Sequence, residues 1–139
     1  LEVLRGLLEI WAQLYQGFGE AARQDTGEDP EKLRRLRAIL TFLHQHYREK
    51  VTLEEVARQV GLCKSECCRF FKRQMGVPLF DYLLDYRVGK SLELLQSGCT
   101  VAESGAQSGF STPAYFSKVF RARTGRSPSE YRRENRGED

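Results

Sequence analysis

The sequence predicts an all-α protein: two helix-turn-helix subdomains joined by a long central helix and preceded by an amphipathic N-terminal helix. Three observations carry this. Apolar residues recur at alternating spacings of three and four, which is the period of one helix face. Threonine or serine followed three residues later by glutamate marks a helix start ahead of short apolar runs, and glycine follows their ends. A stretch of nearly fifty residues occurs twice.

The elements follow in chain order. Leu1, Leu4, Leu8, Trp11, Tyr15 and Phe18 form one stripe, widened by Leu7 and Leu14, so residues 1 to about 23 read as an amphipathic helix. That stripe suits either packing on a neighbouring domain or a dimer seam. "QDTGEDP", Gln24 to Pro30, breaks the pattern as a linker. With Asp29 as N-cap and Pro30 in the first turn, the next helix runs to about Tyr47, its face made by Leu33, Leu36, Ile39, Leu40, Leu43 and Tyr47. Thr52 and Glu55 open a short helix that stops at Gly61. Lys64 to Gln74 follows, with Cys67, Phe70 and Phe71 on one side and Lys64, Arg69, Lys72 and Arg73 charged. Gly76 and Pro78 separate it from a long, largely apolar helix, about Leu79 to Gln96, which Gly98 ends. Thr100 and Glu103 then open another short helix, Thr112 and Pro113 another basic one that ends before Gly125, and Ser127, Pro128 and Glu130 a last one through Tyr131 and Arg132. "RRENRGED", Arg132 to Asp139, reads as a fraying solvated end. Residues 1–28 are expected to be the end of a sensor or dimerisation domain missing from this chain, which opens on Leu1. Residues 29–139 are expected to be the tandem domain, with units at about 29–78 and 98–134 and the connecting helix at about 79–97.

The repeat explains the interleaved aromatics and cations of "GFSTPAYFSKVFRARTG". A shift of 48 places Thr52 on Thr100, Glu55 on Glu103, Gly61 on Gly109 and Leu62 on Phe110; past the glycine the shift is 49, placing Arg69 on Lys118, Phe71 on Phe120, Gly76 on Gly125 and Tyr82 on Tyr131. The second copy thus has one extra residue in its turn. Each copy is a short capped helix, a glycine turn and a second helix with an apolar inner side and a cationic outer one. Such a helix can enter a major groove, side chains near its start meeting base edges while flanking cations hold phosphates.

Charge points the same way. The net charge of +3 arises wholly after residue 50, where 14 Lys and Arg face 11 Asp and Glu. Lys64 to Arg73 nets +3 and Lys118 to Arg133 nets +5, so the excess sits in the two basic helices and their surroundings and suits a polyanion. No apolar run reaches the roughly 18 residues of a membrane span. Cys63, Cys67, Cys68 and Cys99 contain no CxxC pair, and no signal-peptide pattern precedes them, so a reduced, cytoplasmic protein without a disulfide framework is expected. There is no GxSxG elbow, Walker loop or convincing acid pair, so no enzyme, metal or cofactor is expected. His44 and His46, two apart on a helix, point to different sides and read as ordinary surface or half-buried residues.

From about Leu36 to Arg132 the chain resembles the DNA-binding domain of the AraC/XylS family of bacterial transcription regulators. The motifs are "GFSTPAYFSKVFRARTGRSPSEYR" (Gly109 to Arg132) and "LRAILTFLHQHYREKVTLEEVARQVGL" (Leu36 to Leu62). The resemblance implies a monomeric module that inserts two helices into successive major grooves of double-stranded DNA at a promoter. RNA polymerase and a second copy, meeting through the N-terminal helix or a missing domain, are the further partners expected, and the expected role is that of an activator, although the residues themselves leave activation against repression open. Carried over by position, base contacts fall on Ser65, Cys68 and Arg69, and on Thr112, Ala114, Ser117 and Lys118. Lys64, Lys72, Arg73, Arg121 and Arg123 are expected to hold phosphates. Three departures stand out. Ser104 and Gly105 replace a large aliphatic and an alanine, predicting a less stable, less well packed supporting helix. Cys67 replaces a leucine, and Pro113 and Ala114 replace polar residues, so the first unit is expected to read bases more than the second. The alternatives are a helical protein-interaction module, a DNA-binding protein that senses redox state or metal through Cys63, Cys67 and Cys68, and a repair enzyme that targets DNA with this module.

Overall fold

The computed structural model describes residues 29–135 of the 139; the expected N-terminal amphipathic helix and linker, residues 1–28, lie outside the described residues, as do residues 136–139. Within the described span there are seven helices and no strand: α1 Pro30–His46, α2 Leu53–Val60, α3 Lys64–Met75, α4 Leu79–Gln96, α5 Val101–Gln107, α6 Pro113–Thr124 and α7 Pro128–Asn135. They divide into two compact units, residues 29–83 and 84–135.

The starts lie where the caps predict them. Asp29 Oδ1 accepts the Glu31 N–H at 3.0 Å, Thr52 Oγ1 the Glu55 N–H at 3.2 Å, and Thr100 Oγ1 the Glu103 N–H at 3.1 Å, each satisfying a donor that the first turn leaves open. The box at α7 is reciprocal: the Glu130 N–H donates to Ser127 Oγ at 3.2 Å and the Ser127 N–H to Glu130 Oε2 at 3.4 Å. The two short helices end on different caps, Gly61 and Ser108, but in both the chain turns through a glycine. Gly61 has φ 68° and Gly109 φ 93°, a left-handed turn open to glycine at low steric cost, and the next residue folds back so that the Leu62 N–H reaches the Ala57 carbonyl and the Phe110 N–H the Gly105 carbonyl, each at 3.1 Å. The duplication is therefore structural down to single hydrogen bonds. At the ends of α3 and α6, Gly76 and Gly125 donate to the Lys72 and Arg121 carbonyls at 2.8 Å.

Each unit buries its own core. In the first, Leu36, Ile39, Leu40 and Leu43 of α1 meet Val56 and Ala57 of α2, Cys67, Phe70 and Phe71 of α3, and Leu79, Tyr82 and Leu83 from the start of α4. In the second, Val88, Leu92 and Leu95 of α4 meet Phe110, Phe116, Val119 and Phe120, with Tyr131 of α7 closing the cluster.

Two expectations are corrected. Helix α5 is not loosely packed at Gly105: both Ser104 and Gly105 are buried, and a Cβ on Gly105 would stand 2.6 Å from Phe116 Cδ2, so the bare backbone is what lets the aromatic ring close onto the helix. Nor does the chain fray from Arg132, because α7 continues to Asn135, with Arg132 Nε donating to the Cys99 carbonyl at 3.1 Å and Arg126 pairing with Glu134.

Candidate nucleic-acid interface

What aims each basic helix is its buried side. In α3, Cys67 and Phe71 are wholly buried, and Phe71 meets the Tyr82 ring edge-on at 5.6 Å. The Tyr82 hydroxyl lies 2.7 Å from His44 Nε2 of α1, so a buried aromatic keeps its polar end satisfied. In α6, the Phe116 ring sits 5.0 Å from Phe110 and 5.6 Å from Phe120, and Phe120 lies 6.0 Å from Tyr131. The Tyr131 hydroxyl accepts from Gln96 Nε2 at 2.8 Å. Each unit thus uses the equivalent tyrosine to lock its second helix to an element outside the hairpin.

At 3.6 residues per turn, burying 67, 70 and 71 turns 65, 68, 69 and 72 outward, and burying 116, 119 and 120 does the same for 114, 117, 118 and 121. Within the first unit, Lys64, Ser65, Arg69, Lys72 and Arg73 are exposed and Cys68 is half-buried. Within the second, Thr112, Ala114, Lys118 and Arg121 are exposed and Ser117 is half-buried. The candidate base contacts of each unit therefore share one solvent-facing row.

Two candidates also carry a structural duty, expected for Thr112 from its place before Pro113 and marked by no local pattern for Arg123. Thr112 is the N-cap of α6, its Oγ1 accepting the Tyr115 N–H at 3.1 Å. Arg123, expected to hold phosphate, is half-buried with its Nε bonded to Asp85 of α4. A cation already paired across the unit is poorly placed to serve as a free clamp, and Asp85 lies 38 residues away in sequence, so no local pattern points to it. Glu66, outside the expected set, stands exposed in the first turn of α3 among the cations. Its acid type at a helix start was the available signal.

The three neighbouring cysteines differ sharply. Cys63 is the exposed N-cap of α3, with no side-chain cap bond, and its Sγ lies 3.4 Å from Ser65 Oγ. Burial pushes the Cys67 thiol up to about 11, with Cys68 and Cys63 adding to the rise, so it stays a neutral, core-filling group at ordinary pH. Within the described span, no three His, Cys, Asp or Glu side chains converge as a metal site needs, and no helix is long and apolar enough to cross a membrane.

Residues 56–134 match the model of a helix-turn-helix domain family. The chain is 40% identical over 105 residues to the Bacillus subtilis (strain 168) uncharacterized HTH-type transcriptional regulator YdeC, an alignment covering 75% of this chain and 36% of that protein. Among solved structures it is similar to the DNA-binding domain of AdpA, a global transcriptional factor in complex with a target DNA, with 25% identity, a TM-score of 0.70, and 73% of this chain and 93% of that one covered. It is similar also to the C-terminal domain of AraT, a response regulator from Geobacillus stearothermophilus, with 29% identity, a TM-score of 0.67, and coverage of 76% and 86%. The chain spans little more than a third of the length of the YdeC protein.

Proposed function

The chain belongs to the helix-turn-helix domain family, in its AraC type, and carries the DNA-binding module of a transcription regulator; from that premise we propose that it inserts α3 and α6 into successive major grooves of promoter DNA. The observation that carries this reading is the two-sidedness of both helices. Aromatic rings bury one side of each, while the other presents a small, base-sized row flanked by cations: Ser65, Cys68 and Arg69 with Lys64, Lys72 and Arg73, then Ala114, Ser117 and Lys118 with Arg121. In this reading Arg69 makes the strongest direct contact, since a guanidinium reaches guanine O6 and N7 together. Arg123 acts indirectly, holding α6 to α4 through Asp85.

The regulator works in the cytoplasm, where bacterial DNA lies, as an activator that meets RNA polymerase, and the module performs no chemical step. A further domain senses the signal, and dimerisation runs through residues 1–28 or through that domain. The relatives support the regulatory role and the further domain alone: they are named as transcriptional regulators, and YdeC is nearly three times as long as its aligned part.

The test is selection of bound oligonucleotides from a random pool by the 139-residue chain. A shared motif with two blocks one helical turn apart is the expected result. A pool that enriches no common site would leave the basic helices to an acidic protein partner and overturn the reading.

A further inference from the structure

The two reading helices, equivalent by sequence, differ in the chemistry of their first turn. Lys64, Ser65 and Glu66 open α3; at the same places, 49 residues on, Pro113, Ala114 and Tyr115 open α6. All six are exposed. The first helix thus begins with a charge, a hydroxyl and a carboxylate, and the second with a ring that lacks an N–H, a methyl group and an aromatic.

The turn also has few polar groups free. The Thr112 hydroxyl is held at the cap by the Tyr115 N–H, and proline at the first helical position has no backbone donor to offer. Tyr115 is 42% exposed, one of two large hydrophobic side chains so exposed among the described residues, and its ring is braced against the buried Phe110 at 6.0 Å between centroids. Its ring, tipped by a hydroxyl, is therefore a largely apolar surface held out to solvent at the part of the helix that enters a groove first.

Of the features a base pair shows in the major groove, only the thymine C5-methyl is apolar, and small apolar side chains are its usual partners. Resting on the DNA-binding reading above, we infer that the start of α6 is a thymine-methyl subsite, with Ala114 as the specificity-determining contact and Tyr115 as its flank. The second half of the operator then gains methyl readout from the start of α6 beside the hydrogen-bonding Ser117 and Lys118, while the first, facing Ser65 and Arg69, is read through hydrogen bonds.

The probe is the selected duplex with each thymine of the second block replaced singly by deoxyuracil, which removes the methyl and keeps every hydrogen-bonding group. Affinity is measured with the 139-residue chain at fixed salt. One or two positions are expected to lose about fourfold, the worth of one buried methyl. Replacing a cytosine by 5-methylcytosine at those positions should recover part of the loss suffered by a thymine-to-cytosine change. Ala114→Gly should abolish the thymine-over-uracil preference at one position and leave the first block's requirements intact. A recovered motif that is indifferent to uracil everywhere, or holds no thymine in its second block, overturns the inference while the DNA-binding function stands; the apolar turn would then serve a protein contact. A pool without any motif removes both.

Discussion

Gly105 and Phe116 show how one residue can reverse a reading made from its neighbours. Glycine inside a short helix weakens it by roughly 1 kcal/mol relative to alanine, which predicts a slack α5. In the fold the missing Cβ is what admits the ring, whose Cδ2 and Cγ would stand 2.6 and 2.9 Å from it. Gly105→Ala therefore gains roughly 1 kcal/mol of helix propensity but overpacks the core at a cost of about 1–3 kcal/mol, and a net destabilisation of up to about 2 kcal/mol is expected as a lower midpoint in thermal unfolding. The serines near it tell a related story: Ser104 Oγ and Ser108 Oγ are buried with no hydrogen-bond partner among the described residues, an arrangement that side-chain types alone do not disclose. Cys67 makes a prediction in pH. Its folded value, raised from 9.0 to about 11, means that the native state keeps its proton where the unfolded chain loses it. The stability it contributes is thus full below about pH 9 and falls as pH rises toward 11. In native protein at pH 8, alkylation followed by mass spectrometry should label the exposed Cys63 well before Cys67, and equal labelling of both would contradict the buried thiol.

At the scale of the element, caps decide how firmly each helix begins. Five of the starts, at Asp29, Thr52, Thr100, Thr112 and Ser127, have side-chain caps, whereas α3, the helix expected to read bases most strongly, starts at Cys63 without one. Cys63→Ser supplies the missing acceptor and should stabilise the fold by about 0.5–1 kcal/mol, read as a shift in the denaturant midpoint at unchanged slope. Helix boundaries and faces were legible in the sequence because they are local: capping reaches three residues, and a face repeats every 3.6. The end of α7 was not legible. Its extension to Asn135 is accompanied by Arg132 bonding to the Cys99 carbonyl and Arg126 pairing with Glu134, contacts in which a polar, charge-rich tail gains partners only after the chain has folded.

For the whole molecule, the basic rows of the two units set the character of binding. Lys64, Arg69, Lys72, Arg73, Lys118 and Arg121 are exposed cations on the two reading helices. With Lys64, Lys72, Arg73 and Arg121 meeting phosphates, the logarithm of affinity should fall with the logarithm of salt at a slope of about −4, and a flat dependence in an anisotropy titration would contradict the polyanion partner. Arg69→Ala and Lys72→Ala should then part ways. Both lower affinity, but the first relaxes preference at one position of the selected motif and the second weakens all sites alike; equal, sequence-blind losses would refute the division of roles. By itself, the sequence determined the helices, the glycine turns, the duplication and the outward cationic rows, since each depends on residues a few positions apart or on a repeat at constant shift. Only the tertiary structure decided that Arg123 belongs to Asp85, that Phe116 requires the bare backbone of Gly105, and that equivalent tyrosines find His44 in one unit and Gln96 in the other. Those pairings join residues from 11 to 38 positions apart, and periodicity carries no information about which distant groups a folded chain will bring within a few ångströms.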